Sequence, residues 1–369
     1  MGCSSCFPTS DFIKIKEIRS NFFHKYIIRH VETKEEYAYK MININTDSKK
    51  KKKILNDAQI LKNINHPNII LLKSVYYSKD KRFLNIITEY ADDGNLQQKF
   101  DEQKEKKAYF EERTLLNWFM QICLALKYIH NKSILHRNIK PSNIFLMKKG
   151  SDNIAKLGDF GITKNLGSLN YTRTRIETHQ YSAPEMLEEK DYNFKVDIWS
   201  LGATFYQLII LDYPFEGKTN EEKQENIKKG NKKEIPKECK IDREFIDIVN
   251  QMLSLRPDER PTAEDILKKA IIKNRIQGYL KGNEFDLKKS KSIIEKYENE
   301  NENKDKDKDS NKEIRINVFE EIDDDFLDLE KIKENIEKKN NKAIYDYHKQ
   351  MILMSTELTR RSNSLPIQE

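Results

Sequence analysis

The sequence predicts an α+β protein in which a strand-rich segment precedes a longer, helix-rich one. Three observations carry that expectation. Residues 12–44 alternate apolar and polar positions, as paired strands do. Residues 111–131 place Leu116, Phe119, Ile122, Cys123, Leu126 and Ile129 at helical spacing, with Cys123 on the apolar face. Short signatures then follow one another in a set order, the clearest being His136-Arg137-Asn138-Ile139-Lys140-Pro141-Ser142-Asn143 followed by Ile144-Phe145-Leu146.

Size and composition bound the function. The chain has 369 residues, enough for two lobes and a tail. Its net charge is +7, but the 67 basic and 60 acidic residues are mixed along the chain. That mixture suits a solvated surface, and no nucleic-acid-binding motif is present, so a nucleic-acid partner is not expected. No apolar run reaches the length of a membrane-spanning helix, and there is no secretory h-region. Of the four cysteines, Cys3 and Cys6 lie at the N-terminus, while Cys123 and Cys239 fall in domain sequence. This is no disulfide framework, and it suits a reducing cytoplasm.

The run from His136 to Asn143 resembles the H-R-D-x-x-x-x-N loop of protein kinases; Leu157-Gly158-Asp159-Phe160-Gly161 and Ala183-Pro184-Glu185 resemble their D-F-G and A-P-E segments. Asp197-Ile198-Trp199-Ser200-Leu201-Gly202 is similar to the family's central buried helix. Arg256-Pro257-Asp258-Glu259-Arg260-Pro261-Thr262 is similar to its closing motif, in which Arg260 pairs with Glu185. The resemblance spans residues 11–276 and implies a bilobal kinase-like fold, with a small twisted-sheet N-lobe (11–89) and a mainly helical C-lobe (93–276). Tyr90-Ala91-Asp92-Asp93-Gly94-Asn95-Leu96, Asn143-Ile144-Phe145-Leu146 and the stretch from Lys156 to Ile162 most resemble the NIMA-related serine/threonine kinases.

The resemblance assigns roles in the N-lobe. Glu36-Tyr37-Ala38-Tyr39-Lys40 matches V-A-I-K, which makes Lys40 the phosphate-pairing lysine; Ala38 would line the adenine pocket. Counting back puts the glycine-rich loop at Ile18-Arg19-Ser20-Asn21-Phe22-Phe23, with all three glycine positions lost. Glycines there let the backbone approach phosphate, so phosphate cradling should be poor. Lys51 to Ile64 reads as the regulatory helix, with Ile54, Ile60 or Leu61, and Ile64 near one face. Asp57 takes the position of the helix glutamate that pairs with Lys40, one methylene shorter. Phe83 to Tyr90 reads as the strand before the hinge, with Thr88 guarding the back pocket. Glu89-Tyr90-Ala91 would contact adenine through the backbone.

In the C-lobe, Asn138 stands where the family has the aspartate that accepts the substrate hydroxyl proton. A carboxamide has nearly the carboxylate's shape but no useful basicity. Lys140 matches the lysine of serine/threonine-type kinases, and Asn143 and Asp159 match the magnesium ligands. Thr174 lies where an activating phosphate would be, within reach of Arg137, and Glu177 replaces the glycine that opens the family's peptide-binding turn. Leu61, Leu84, His136 and Phe160 fill the family's internal apolar column.

The flanks carry separate signals. Residues 1–10 read as a lipidation leader: Gly2 is a myristoylation acceptor once Met1 is removed, and Cys3 and Cys6 are palmitoylation candidates. Dual acylation anchors stably where one chain does not, placing the protein on the cytoplasmic face of a membrane; the lysines at 49–53 would add attraction to anionic lipid. Residues 277–321 read as a charged, mostly disordered linker, and 322–369 as an amphipathic helix and tail. Arg361-Ser362-Asn363-Ser364-Leu365-Pro366 matches the phosphoserine motif read by 14-3-3 proteins, with Ser364 the acceptor. Together these features imply a membrane-tethered, NIMA-like pseudokinase scaffold or allosteric regulator, with ATP and Mg2+ binding weakened. The alternatives are a weakly active ATP-dependent serine/threonine kinase and an ATP-binding sensor without phosphotransfer.

Overall fold

A computed structural model describes residues 11–18, 24–44, 64–149, 152–159 and 179–276, together with Leu55, Ala58, Leu61 and Lys62. The glycine-rich-loop positions 19–23, Asp57, Phe160, Thr174, Glu177, the leader with Gly2, Cys3 and Cys6, and the linker and tail with Ser364 lie outside the described residues. Elements are numbered among the described residues.

The alternating segment forms antiparallel strands β1 (Phe12–Ile18), β2 (His24–His30) and β3 (Glu36–Asn43). With β4 (Leu72–Tyr77) and β5 (Phe83–Glu89) they make a five-stranded sheet in the order β1-β2-β3-β5-β4. Period-two alternation gives the sheet two faces. On one, Ile28, Tyr39 and Ile87 are buried, with Tyr37, Met41 and Tyr76 packed around them. On the other, Ile42, Val75, Leu84 and Ile86 pack with Ile44 and Ala58 and against Leu55 and Leu72. Leu55, Ala58 and Leu61 are helical, as expected, but the helix does not reach Ile64: Lys62 is in a turn and the Ile64 N–H donates to the Leu61 carbonyl at 3.1 Å. Tyr39, in the V-A-I-K match, is buried, and its hydroxyl donates to Asn85 Oδ1 at 2.7 Å. That partner lets a tyrosine fill an aliphatic position, because a buried hydroxyl is costly only when unpaired.

The C-lobe starts with helix α1 (Leu96–Lys106), capped by a reciprocal box between Asn95 and Gln98. Gly94 precedes the cap at φ +75°, and a Cβ there would meet Gln98 Oε1 at 2.2 Å. Glycine is favoured there because a side chain at that φ is strained. Helix α2 (Glu112–Asn131) realises the predicted apolar stripe: Phe119, Ile122, Cys123, Leu126 and Ile129 are fully buried. A hairpin of β6 (Ile144–Lys149) and β7 (Asp152–Leu157) follows, then a short helix α3 (Pro184–Leu187). Helix α4 (Lys195–Ile210) is buried from Val196 to Ile210, and α5 (Asn220–Lys229), α6 (Arg243–Met252) and α7 (Ala263–Leu267) complete the lobe. The edge of Phe119 meets the rings of Phe205 (5.0 Å) and Phe245 (5.1 Å), which joins α2, α4 and α6. No described helix is long and apolar enough to cross a membrane.

Candidate active-site cleft

Strand register sets the sheet side of the cleft. Ala38 and Lys40 share one face of β3, and directly paired residues on β2 share it too: Ile27 opposite Ala38, Lys25 opposite Lys40. Lys40 is buried, and its Nζ lies 3.2 and 3.4 Å from the Asp159 carboxylate oxygens. The predicted strand lysine and D-F-G aspartate therefore meet across the lobes. Asp159 sits in the left-handed region at φ +53°. Burial pushes its carboxyl upward, but the charges of Lys40 and Lys25, the Lys40 hydrogen bond and the charge of Lys140 outweigh burial and hold its pKa below the ordinary value.

The loop from His136 to Asn143 is held by one carboxylate. Asp197, fully buried in the first turn of α4, accepts the backbone N–H of His136 at 2.9 Å and of Arg137 at 2.7 Å. Its Oδ2 also lies 3.0 Å from His130 Nε2. These bonds hold Arg137 at φ +63°, a conformation a non-glycine residue keeps only when its surroundings enforce it. The Asn138 N–H donates to His136 Nδ1 at 3.3 Å, and the Asn138 carbonyl accepts Asn143 Nδ2 at 2.8 Å. His136 Nε2 in turn bonds the Gly158 carbonyl at 3.0 Å, tying this loop to Asp159. The backbone at position 138 is thus braced through both its N–H and its carbonyl.

The donor set fits a magnesium ion in part. Asn143 spends its Nδ2 on the loop, which leaves Oδ1 as the oxygen a cation would use, and Asp159 supplies a carboxylate. At the hinge, the Glu89 N–H donates to the Leu71 carbonyl at 3.0 Å, and the Glu89 carbonyl accepts the Thr88 hydroxyl at 3.1 Å. The Glu89 carboxylate is fixed by Lys156 (2.9 Å) and the Leu71 N–H (2.7 Å). Ala91 follows, half-buried. Away from the cleft, Arg260 makes the expected pair with Glu185, two bonds of 2.6 and 2.9 Å, with its guanidinium over Trp199. Arg137 lies 5.7 Å from the Tyr192 ring.

Three contributors escape the motif reading. His130 is the third partner of Asp197, and Lys156 fixes the hinge; both are distant in sequence from the groups they hold. Lys25 was within reach of counting. The glycine-loop pattern continues to a valine two residues after its last glycine, and Lys25 occupies that position. Its ammonium lies 5.3 Å from the centre of the Phe145 ring on β6. Burial lowers the Lys25 pKa, partly opposed by Asp159 and assisted by Lys40.

A two-lobed domain with a strand lysine paired to a D-F-G aspartate and a braced H-R-x loop is a protein kinase domain. Residues 22–272 match the family described as Protein kinase domain. Over 272 residues the chain is 35% identical to Serine/threonine-protein kinase Nek1 of Mus musculus, covering 73% of this chain and 22% of that protein. It is 38% identical to Serine/threonine-protein kinase Nek5 of Homo sapiens (68% of this chain, 34% of that one) and 32% identical to Serine/threonine-protein kinase Nek4 of Mus musculus (72% and 33%). This chain belongs to the protein kinase family and is of the NIMA-related serine/threonine type. The match spans only a fifth to a third of the length of these relatives. The family in general uses ATP and Mg2+.

Proposed function

We propose that this chain is a NIMA-like pseudokinase: a kinase domain that serves as a scaffold or allosteric regulator, with ATP and Mg2+ binding weakened. The observation that carries the reading is Asn138, braced between His136 Nδ1 and Asn143 Nδ2 where the family places its base. General-base assistance is typically worth ~10²–10⁴ in rate. Kinases turn over at only ~1–100 s⁻¹, so its loss leaves little activity. Acylation at Gly2 and Cys3, with Cys6 as a further acceptor, tethers the chain to the cytoplasmic face of a membrane in this reading. Phosphorylation of Ser364 recruits a 14-3-3 protein, and Thr174 is a second phosphate acceptor.

The test is transfer from γ-labelled ATP with Mg2+ to generic protein substrates, beside Asp159→Ala. Transfer no higher than this control is expected; transfer above it overturns the reading. A weakly active kinase is the second reading, favoured by the Lys40–Asp159 contact at 3.2 Å, and the same assay separates the two. For the tether, Gly2→Ala is expected to move the protein out of the membrane fraction, and unchanged fractionation removes that part.

A further inference from the structure

Two neighbouring strands each send a lysine into the cleft from the same sheet face. Lys40 meets Asp159. Lys25 lies instead with its ammonium 5.3 Å from the centre of the ring of Phe145, which belongs to β6 on the opposite lobe and bridges Asn95, just past the hinge segment 89–91. Gly158 limits the withdrawal of Phe145 on one side. A Cβ on Gly158 would lie 2.8 Å from its ring, so the ring rests directly on the backbone one residue before Asp159.

Stacking needs space that this arrangement lacks. Nonbonded heavy atoms sit ~3.5–4.0 Å apart, so a flat ring between Phe145 and a group above it needs about 7 Å. The Lys25 ammonium leaves 5.3 Å. An ammonium is also itself a favourable partner for an aromatic face, so it competes for the surface a base would use. The charge of Asp159 favours the protonated form of Lys25 against the effect of burial.

We propose that Lys25 is a specificity-determining residue that closes the base end of this cleft, so that the chain excludes a flat nucleobase from the face of Phe145. This deepens the pseudokinase reading and rests on it for the identity of the cleft. It adds a barrier to nucleotide that is independent of Asn138: one residue removes the base for proton transfer, and another fills the seat of the ligand.

The test is calorimetric titration of full-length protein with ATP, and separately with adenosine, in the presence and absence of Mg2+. Wild type is compared with Lys25→Val, which restores the valine of the pattern, and with Lys25→Met, which keeps an apolar stem without charge. Wild type is expected to show no saturable binding up to millimolar ligand. Lys25→Val is expected to bind ATP at least ~tenfold more tightly, the equivalent of one displaced cation–π contact. Adenosine alone should show the same gain, because the change lies at the base end. Equal affinity in wild type and Lys25→Val overturns the proposal, as does a folded pair of variants that both stay blind to nucleotide. If Lys25→Val does not fold, Lys25→Met gives the reading. Phosphotransfer is measured on the same samples. A Lys25→Val protein that binds ATP without transferring phosphate supports both claims. One that binds and transfers supports closure by Lys25 and overturns the pseudokinase reading alone.

Discussion

Asp197→Asn is the sharpest structural perturbation of the site, because it changes one atom. The carboxylate accepts the His136 N–H at 2.9 Å and the Arg137 N–H at 2.7 Å, and it lies 3.0 Å from His130 Nε2. A carboxamide keeps one acceptor oxygen and turns an NH2 group toward the remaining donors. Hydrogen bonds to a charged acceptor are worth ~1.5–3 kcal/mol each. Losing two of them, offset by no longer burying a carboxylate, nets a destabilisation of about 2–4 kcal/mol. For a domain of this size that lowers Tm by roughly 4–16 °C. Thermal unfolding of wild type and Asp197→Asn at pH 7 reads the effect directly. Hydrogen exchange at residues 136–138 should also accelerate, since Arg137 is then no longer held at φ +63°. The difference has a pH signature. Burial pushes the Asp197 carboxyl upward, but the His130 hydrogen bond and the charges of His130 and His136 outweigh burial and hold its pKa low. A depressed carboxyl contributes stability that is present above its unfolded pKa and lost as pH falls toward the folded value. The gap between the two proteins should therefore narrow below about pH 4. A Tm change under about 2 °C at pH 7 would refute the assignment of Asp197 as the brace of this loop.

Two further outcomes follow from buried polar groups. Arg260→Met strands the Glu185 carboxylate, which is 7% exposed, and should cost about 3–5 kcal/mol in urea unfolding. Adding Glu185→Met should recover most of that loss; strictly additive costs would contradict a coupled pair. His66 is buried, with Nδ1 accepting the Asn68 N–H at 3.0 Å and no hydrogen-bond partner for Nε2 among the described residues. Burial, assisted by Lys156, lowers its pKa to about 3. The unfolded chain takes up that proton first as pH falls. His66 thus contributes full stability above about pH 6.5, declining by roughly 1.4 kcal/mol per pH unit below it. His66→Asn, which keeps an acceptor for the Asn68 N–H, should flatten the decline between pH 6.5 and 5; an unchanged slope would assign it to another group.

Much of the fold was legible because its signals are local. Alternation over 12–44 specified strands whose faces can be filled in only one register, and the stripe from Leu116 to Ile129 specified α2. Arg260 and Glu185 also paired at a distance as their motifs imply, whereas the contact of Lys40 with Asp159 emerged only from the fold, the expected partner Asp57 lying outside the described residues. Counting along the glycine-loop pattern reaches Lys25, but what its ammonium faces across the cleft is visible only in the fold. His130 and Lys156 escaped because nothing near them in sequence shows which carboxylate they serve.

By itself, the sequence determined the order of the parts and the chemical identity of the groups in the cleft. Asn138 is a carboxamide wherever the chain places it, so the lack of a carboxylate base at this position is a property of the sequence alone. Only the tertiary structure decided which groups are buried and what they face. Lys40 and Asp159 are separated by 119 positions. The Lys25 ammonium became an occupant of the cleft only when β6 brought Phe145 beneath it. Burial and partner choice are collective properties of the packed lobes, and they set whether a charge is solvated, paired or in the way of a ligand.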